Sequence, residues 1–584
     1  MKKTILLIIS FSVFSILFAQ QKKIIIAPAI DSMLNEIREF RKEEIKRDSA
    51  TGHILGTNTE TAALLRYTFY KDEYNKLEKI DAAALSFDDQ INLELLKYDI
   101  EDDLSSYQYK MYLNPILADE GFHTGLASMG SEVISNKKDA EYYITRLKDM
   151  PRYVNEYLEL MRKGLALGIC QPKIILKGYE NTYVQHIVDD PAKSIFYKPF
   201  LTRPFSISEA DWSKLVSEAR NAVQQYAIVA FKNIRQFFDN EYLPKTRTTI
   251  GVSNFPDGLN FYQDRVHHYT TTDLSYNEIY QLGLNEVSRI KNEMMDVMKE
   301  VNFKGNLQEF IAYLRADPKF YATTAEQLLK EASYIAKQSD GMLPKFFGKL
   351  PRQPYGVEAV PAYLAPTYTA GRYAGASIHG KNAAHYWVNT YDLKSRPLYA
   401  LEALTMHEAV PGHHLQISLT QELDNLPPFR RNLYVNAFGE GWGLYAEYLG
   451  TEMGFYKDPY SRFGKLTYEM WRACRLVIDV ALHTKGWSRE QAVNYLAENT
   501  ALSLHEVNTE INRYISWPGQ ALAYKMGELK IKELRKKAET KLQGKFDIRE
   551  FHDLVLSQGT VTLKILEMMV DKYIIEKMNL NSNR

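Results

Sequence analysis

His407-Glu408-Ala409-Val410-Pro411-Gly412-His413-His414 lies inside an apolar stretch running from about Leu398 to Leu419. Three of the chain's 13 histidines fall in these residues, and an acid directly follows the first. Upstream, Leu398, Leu401, Leu404 and Thr405 recur at three- and four-residue steps, so His407 is predicted to project from one face of a helix. The cluster reads as a zinc site. A metalloprotease helix usually carries His-Glu-x-x-His, because residues four apart lie about 40° apart on one face and both reach a zinc ion at about 2.0 to 2.1 Å. Here the fourth position is Pro411, which has no ligand atom. Pro411 also lacks an N–H for the carbonyl of His407, and Gly412 tolerates backbone angles closed to other residues. A bulge is therefore predicted between Val410 and His413. With two residues looped out, His413 takes the place of the second histidine. In a straight helix His414 faces the same way as His407 but sits about 10 Å further along the axis. The reading favours zinc on His407 and His413, with His414 as the rival ligand or as a group facing substrate.

Glu408, one step from a ligand, is the expected general base. It holds a water whose pKa the metal lowers towards about 7 and takes its proton during attack on a carbonyl. A third ligand is offered by Gly439-Glu440-Gly441-Trp442-Gly443-Leu444-Tyr445-Ala446-Glu447, where small neighbours let the Glu440 carboxylate approach a buried ion. Two histidines, a glutamate and water form a common catalytic zinc shell. Glu447, two turns on, lies on the same face and is placed to orient His407 or His413. The oxyanion donor is expected between Asn512 and Gly527, a stretch with two tyrosines, an arginine and a Pro-Gly break. There Tyr524 or Tyr514 supplies a hydroxyl opposite the metal, and Arg513 pairs with a substrate carboxylate.

HEAVPGHHLQ (407–416), GEGWGLYAE (439–447) and YISWPGQALAYKMG (514–527) together closely resemble the bacterial proteins of domain-of-unknown-function family 885 (DUF885). The likeness extends upstream through residues 139–173 and the stretch 274–290, so it covers nearly the whole chain after its first residues. That family in turn is similar to helical, gluzincin-type zinc peptidases such as thimet oligopeptidase, angiotensin-converting enzyme and the thermostable carboxypeptidases. The resemblance implies a large, mainly α, zincin-like fold with a central cleft, Zn2+ as cofactor and a short peptide or related amide as substrate. In the first and last of those peptidases the ligand glutamate precedes a second glutamate by seven residues, as Glu440 precedes Glu447. The departure is the insertion that puts Pro411 where the second histidine usually stands.

With 584 residues and 45% apolar side chains, the chain is long enough for a substantial core. Its 72 basic and 72 acidic residues are well mixed, which favours neither nucleic acid nor an anionic membrane surface as partner. Lys2 and Lys3, an apolar run from Ile5 to Phe18 and then Ala19 read as an export signal cleaved after residue 19, leaving no stable membrane anchor. The expected location is periplasmic or extracellular. Cys170 and Cys474 are far apart in sequence, and both a disulfide and two separate thiols are compatible with it.

Charged and apolar residues alternate at helical spacing from Ser32 to Ala118, and again over 139–167, 206–240 and 275–301. Residues 20–350 are therefore expected to form a helical N-terminal region that walls a cleft, and 351–584 the zincin-like catalytic region. Pro151 and Gly164 leave open whether 139–167 is one helix or two. Between Tyr355 and Asp392 the texture changes. Pro361–Ala365 and Ala383–Tyr391 are rich in aromatic and β-branched residues around a glycine-rich turn, which predicts a small antiparallel sheet just before the metal helix. The strand Trp387–Asn389 is the expected edge for an extended substrate, with Asn389 as a substrate contact. Three functions fit these residues: an exported zinc peptidase, a zinc hydrolase of a non-peptide bond, and a metal-containing binding protein without turnover.

Overall fold

Asn136 accepts a hydrogen bond from the Asp139 N–H and so starts helix α1 (Lys137–Leu167), which ends at Gly168 with φ +74°. In the computed structural model, residues 26–579 are described, apart from Tyr363 and His379. The export signal read over residues 1–19 lies outside the described residues. α1 is one continuous helix that carries Pro151 within it. Its buried stripe of Ala140, Tyr143, Ile144, Leu147, Met150, Val154, Leu158 and Met161 holds the three- and four-residue rhythm across the proline, and packing of that stripe outweighs the lost hydrogen bond.

α2 (Tyr276–Glu300) begins with a reciprocal cap in which Ser275 and Glu278 satisfy each other's backbone N–H groups. Three short strands follow: β1 (Tyr355–Ala359), β2 (Gly371–Ala374) and β3 (Ala384–Val388). Then come the helices that build the site: α3 (Leu401–Glu408), α4 (His413–Gln421), α5 (Asn436–Glu452), α6 (Pro459–Thr484), α7 (Leu504–Ser516) and α8 (Ala523–Leu542). The fold is mainly α, as the periodicity predicts. Among the described residues no helix is long and apolar enough to cross a membrane.

The sheet corrects one expectation. Its order is β1-β3-β2, with β1 parallel and β2 antiparallel to β3, so it is mixed and not purely antiparallel. Pro361–Ala365, read as a strand, folds back on itself instead, with the Leu364 and Ala365 N–H groups both donating to the Pro361 carbonyl. The real third strand, β2, lies in the glycine-rich stretch.

α2 lies along α6, and Gly283 makes that approach possible. A β-carbon there would come within 2.7 Å of Leu476 and 3.0 Å of Val477. Next to this contact the fully buried Lys525 of α8 reaches Glu286 of α2 at 3.0 Å, Glu469 of α6 at 3.0 Å and Glu528 at 2.6 Å. One cation thus ties three helices, an arrangement in which removing a single partner leaves a buried charge uncompensated.

The largest hydrophobic core joins Leu147 and Met150 of α1, Ile290 and Met294 of α2, Met406 of α3 and Met470 and Val477 of α6. Packing therefore runs across residue 350 without a break. A second core gathers Val410, Leu415 of α4, Phe438, Trp442 and Leu449 of α5, and Ile531 and Leu534 of α8. Ala409 belongs to the first core and Val410 to the second, so the seam between them falls inside the histidine block. Cys170 and Cys474 are both buried and unpaired.

Candidate metal centre

The helix carrying His407 stops at Glu408 and restarts at His413, as Pro411 requires. Val410-Pro411 is a cis peptide. Two carbonyls of the break are caught by side chains: Val410 O accepts from Ser339 Oγ at 2.7 Å, and Pro411 O accepts from Trp442 Nε1 at 2.8 Å. Gly412 passes close under the previous turn, where a β-carbon would sit 1.9 Å from the His407 carbonyl oxygen. Gly412→Ala is accordingly expected to displace His413 as well as to destabilise the chain by several kcal/mol, beyond the usual 1–3 kcal/mol or so for overpacking. Melting temperature and metal content of the variant, measured together, check this; an unchanged metal content would show that the break tolerates a side chain.

The break folds the two imidazoles together, with ring centroids 4.7 Å apart and planes at 88°. Glu440, in the first turns of α5, completes the group. Its Oε2 lies 3.5 Å from His413 Nε2 and 3.7 Å from His407 Nε2, and the ligand atoms of all three residues lie within 4.8 Å of one another. Donors around a tetrahedral zinc with bonds of about 2.0–2.1 Å stand roughly 3.4 Å apart, so the set closes on an ion with small side-chain movements. His407 is 3% exposed, whereas the Glu440 side chain is 14% exposed, so the centre opens towards solvent on the glutamate side.

The glycines around Glu440 each admit a different neighbour. Gly439 lies under the Tyr434 ring, Gly441 against Gly527 of α8, and Gly443 against the His407 ring, where a β-carbon would meet Cε1 at 2.6 Å. Glu447 accepts from His407 Nδ1 at 2.8 Å, which turns Nε2 towards Glu440, and Arg472 stands 3.7 Å from the same carboxylate oxygen. Burial works against charge on His407, but the carboxylates of Glu440 and Glu447 beside it push it up to about 10. Burial likewise opposes ionisation of Glu440, yet the two histidines hold it well below the usual carboxylate range. Three carboxylates, those of Glu408, Glu440 and Glu447, thus surround two imidazoles, and the pocket attracts a cation.

Glu408 closes α3 and is anchored by β2, its Oε2 accepting from the Tyr373 N–H at 2.8 Å. His414 is placed differently from either expectation. It is 1% exposed, its Nε2 lies 3.1 Å from the Gln353 carbonyl, and its Nδ1 is shared with Tyr373 and Ser418. Burial pushes it down to about 4, and with both ring nitrogens engaged by protein groups it stands outside the set formed by His407, His413 and Glu440.

Tyr514 is also corrected. Its hydroxyl accepts from Trp471 Nε1 at 2.8 Å and Arg475 Nε at 2.9 Å, and the residue is buried in the core. Tyr524 stacks over His407 with centroids 6.5 Å apart, and its hydroxyl accepts from Arg513 Nη2 at 3.2 Å. Arg513 also donates to Gln520 at 2.9 Å and lies 3.7 Å from Glu510. The Pro-Gly turn between α7 and α8 is pinned by Asp479, which accepts from the Gly519 N–H at 3.0 Å and the Tyr262 hydroxyl at 2.6 Å. Asn389 is wholly buried, its Nδ2 donating to the carbonyls of Ala365, Tyr368 and Thr369. It shapes the preceding loop and cannot touch substrate. Its strand is the middle one of the sheet, so the unpaired edge beside α3 belongs to β2.

Tyr434 was not singled out in the sequence. Its hydroxyl donates to Glu440 Oε1 at 3.3 Å and leaves Oε2 facing the imidazoles. The signal available was an aromatic residue just ahead of the glycine run, in a chain of 40 tyrosines.

Fold and site together define a mainly helical protein with a His-His-Glu centre assembled across a helix break. The chain belongs to the family described as bacterial protein of unknown function, DUF885, whose model matches residues 52–570. A solved structure described as a candidate lipoprotein from Colwellia psychrerythraea is similar at TM-score 0.80 and 28% identity, covering 88% of this chain and 92% of that one. A second, described as a candidate lipoprotein of unknown function from Shewanella oneidensis, has TM-score 0.69 and 15% identity over 93% and 98% of the two chains, and shows the fold alone. No curated protein matches the chain.

Proposed function

We propose that this protein is a zinc-dependent hydrolase of the peptidase type, acting on short peptides or related amides. The observation that carries the reading is the convergence of His407, His413 and Glu440 with a carboxylate, Glu408, on the residue next to the first ligand. Those three residues would hold a zinc ion, which would supply Lewis-acid polarisation of the substrate carbonyl and lower the pKa of the attacking water. Glu408, held by the Tyr373 N–H, removes the proton of the attacking water and delivers it to the leaving amine. Glu447 fixes the His407 ring, and Tyr434 keeps Glu440 Oε2 directed at the metal position. The Tyr524 hydroxyl accepts from Arg513, which leaves its own proton to donate to the developing oxyanion. The names of the two similar structures support an exported or envelope-associated location, periplasmic or extracellular, in line with the first 19 residues of the sequence.

The test is a panel of peptide, ester and phosphoester substrates offered to zinc-loaded protein with and without chelator. Chelator-sensitive cleavage of peptides is expected. Turnover confined to esters or phosphoesters would replace the peptidase reading with another hydrolase, and no turnover at all would leave a binding protein.

A further inference from the structure

The arginines near the centre are almost all engaged with carboxylates: Arg472 with Glu447, Arg475 and Arg513 with Glu510, and Arg396 with Glu506. Arg372 is the exception. It is exposed, and no described carboxylate lies within ion-pair distance of it. The groups that favour its charge are Tyr368 beside it and, from further off, Glu408 at the end of α3 and Glu120 from the N-terminal region.

Its position is fixed by the strand. Arg372 is the second residue of β2, and the next residue, Tyr373, gives its N–H to the base. Side chains alternate across a strand, so Gly371 and Tyr373 face inward while Arg372 faces outward beside Trp387, its partner on β3. The Tyr368 and Trp387 rings meet edge-on with centroids 6.4 Å apart. A cation, a hydroxyl and two aromatic walls thus stand together one residue from the grip on Glu408. A guanidinium suits a carboxylate because its parallel N–H groups match both oxygens.

We propose that Arg372, paired across the sheet with Trp387 and close to the Tyr368 ring that meets it, receives a carboxylate of the substrate and so selects peptides carrying an anionic group close to the scissile bond. This rests on the peptidase reading above, and it moves the carboxylate contact from Arg513, which Gln520, Tyr524 and Glu510 occupy, to the β2 arginine. The carboxylate is either the C-terminus of a short peptide or an acidic side chain.

Two readouts test it. Tetra-alanine, its C-terminal amide, and an amidated tetrapeptide with one aspartate are assayed as substrates. The same peptides are titrated calorimetrically into zinc-loaded Glu408→Gln protein, which reads affinity even if nothing is hydrolysed. The native chain is expected to favour a carboxylate-bearing peptide over the neutral amide. Arg372→Gln is expected to raise KM, and the dissociation constant, for that peptide about tenfold while leaving the amide unchanged and kcat nearly so. Arg372→Lys should recover part of the loss, since it restores the charge without the fork. Preference for tetra-alanine identifies the C-terminal carboxylate, and preference for the aspartyl peptide identifies the side chain. Equal effects on acid and amide, or no preference in the native chain, overturn the proposal. Lack of any peptide cleavage combined with an Arg372-dependent affinity for carboxylate would instead strike the peptidase reading alone.

Discussion

Zinc is expected at about one ion per chain in protein purified without chelator or metal-binding tag, and to be lost in His407→Ala, His413→Ala and Glu440→Ala but kept in His414→Ala. The first three variants each remove a ligand atom from a set that closes to within 4.8 Å, and two remaining protein donors hold zinc poorly. Three-ligand retention of zinc is a matter of many kcal/mol, of the order of 10 kcal/mol or more for a full structural set, so losing one donor is measurable at ordinary concentrations. His414→Ala removes only a contact with the Gln353 carbonyl and its neighbours, which affects packing and leaves the ligand set intact. Elemental analysis of the four variants beside the native chain decides the matter. Zinc lost from His414→Ala and retained in His413→Ala would mean that the break directs the other histidine to the metal. Native protein that stays free of zinc after adding it back would remove the basis for a hydrolase.

Glu408→Gln is expected to keep its zinc and lose peptide hydrolysis by a factor of about 10²–10⁴, the usual contribution of a positioned proton-transfer group. The substitution preserves the shape of the side chain and an oxygen able to accept from the Tyr373 N–H, so the local geometry survives. What disappears is basicity. Steady-state rates on the best peptide of the panel, with metal content measured on the same sample, separate a chemical defect from loss of the ion. Near-native hydrolysis by this variant would falsify the proposed role of Glu408 even with zinc bound.

Residues whose partners are close in sequence were legible; those whose partners come from afar were not. The proline that ends α3 and the glycine that lets the chain turn under it both sit in the histidine block, so pairing of His407 with His413 could be read from eight residues. Glu440 and Glu447 share one helix and hence one face. His414, by contrast, is engaged by Gln353, 61 residues away, and Tyr514 by Trp471 and Arg475, about 40 residues away. No local pattern reports such contacts. Asn389 misled for a related reason: its strand is the middle of the sheet because β1 joins it in parallel, and strand order depends on how a long connection crosses, which alternation does not encode. β2 was hidden because its glycine-rich surroundings resemble a turn, although Gly371 is there to bring the strand against the Trp387 carbonyl.

The seam between the two hydrophobic cores runs between Ala409 and Val410, and the candidate ligands stand on both sides of it. His407 comes from the helix rooted in the first core, His413 from the helix rooted in the second, and Glu440 from the second core's central helix. An ion held by these side chains would cross-link the two cores. Its removal is therefore expected to loosen the coupling between the two cores at this joint.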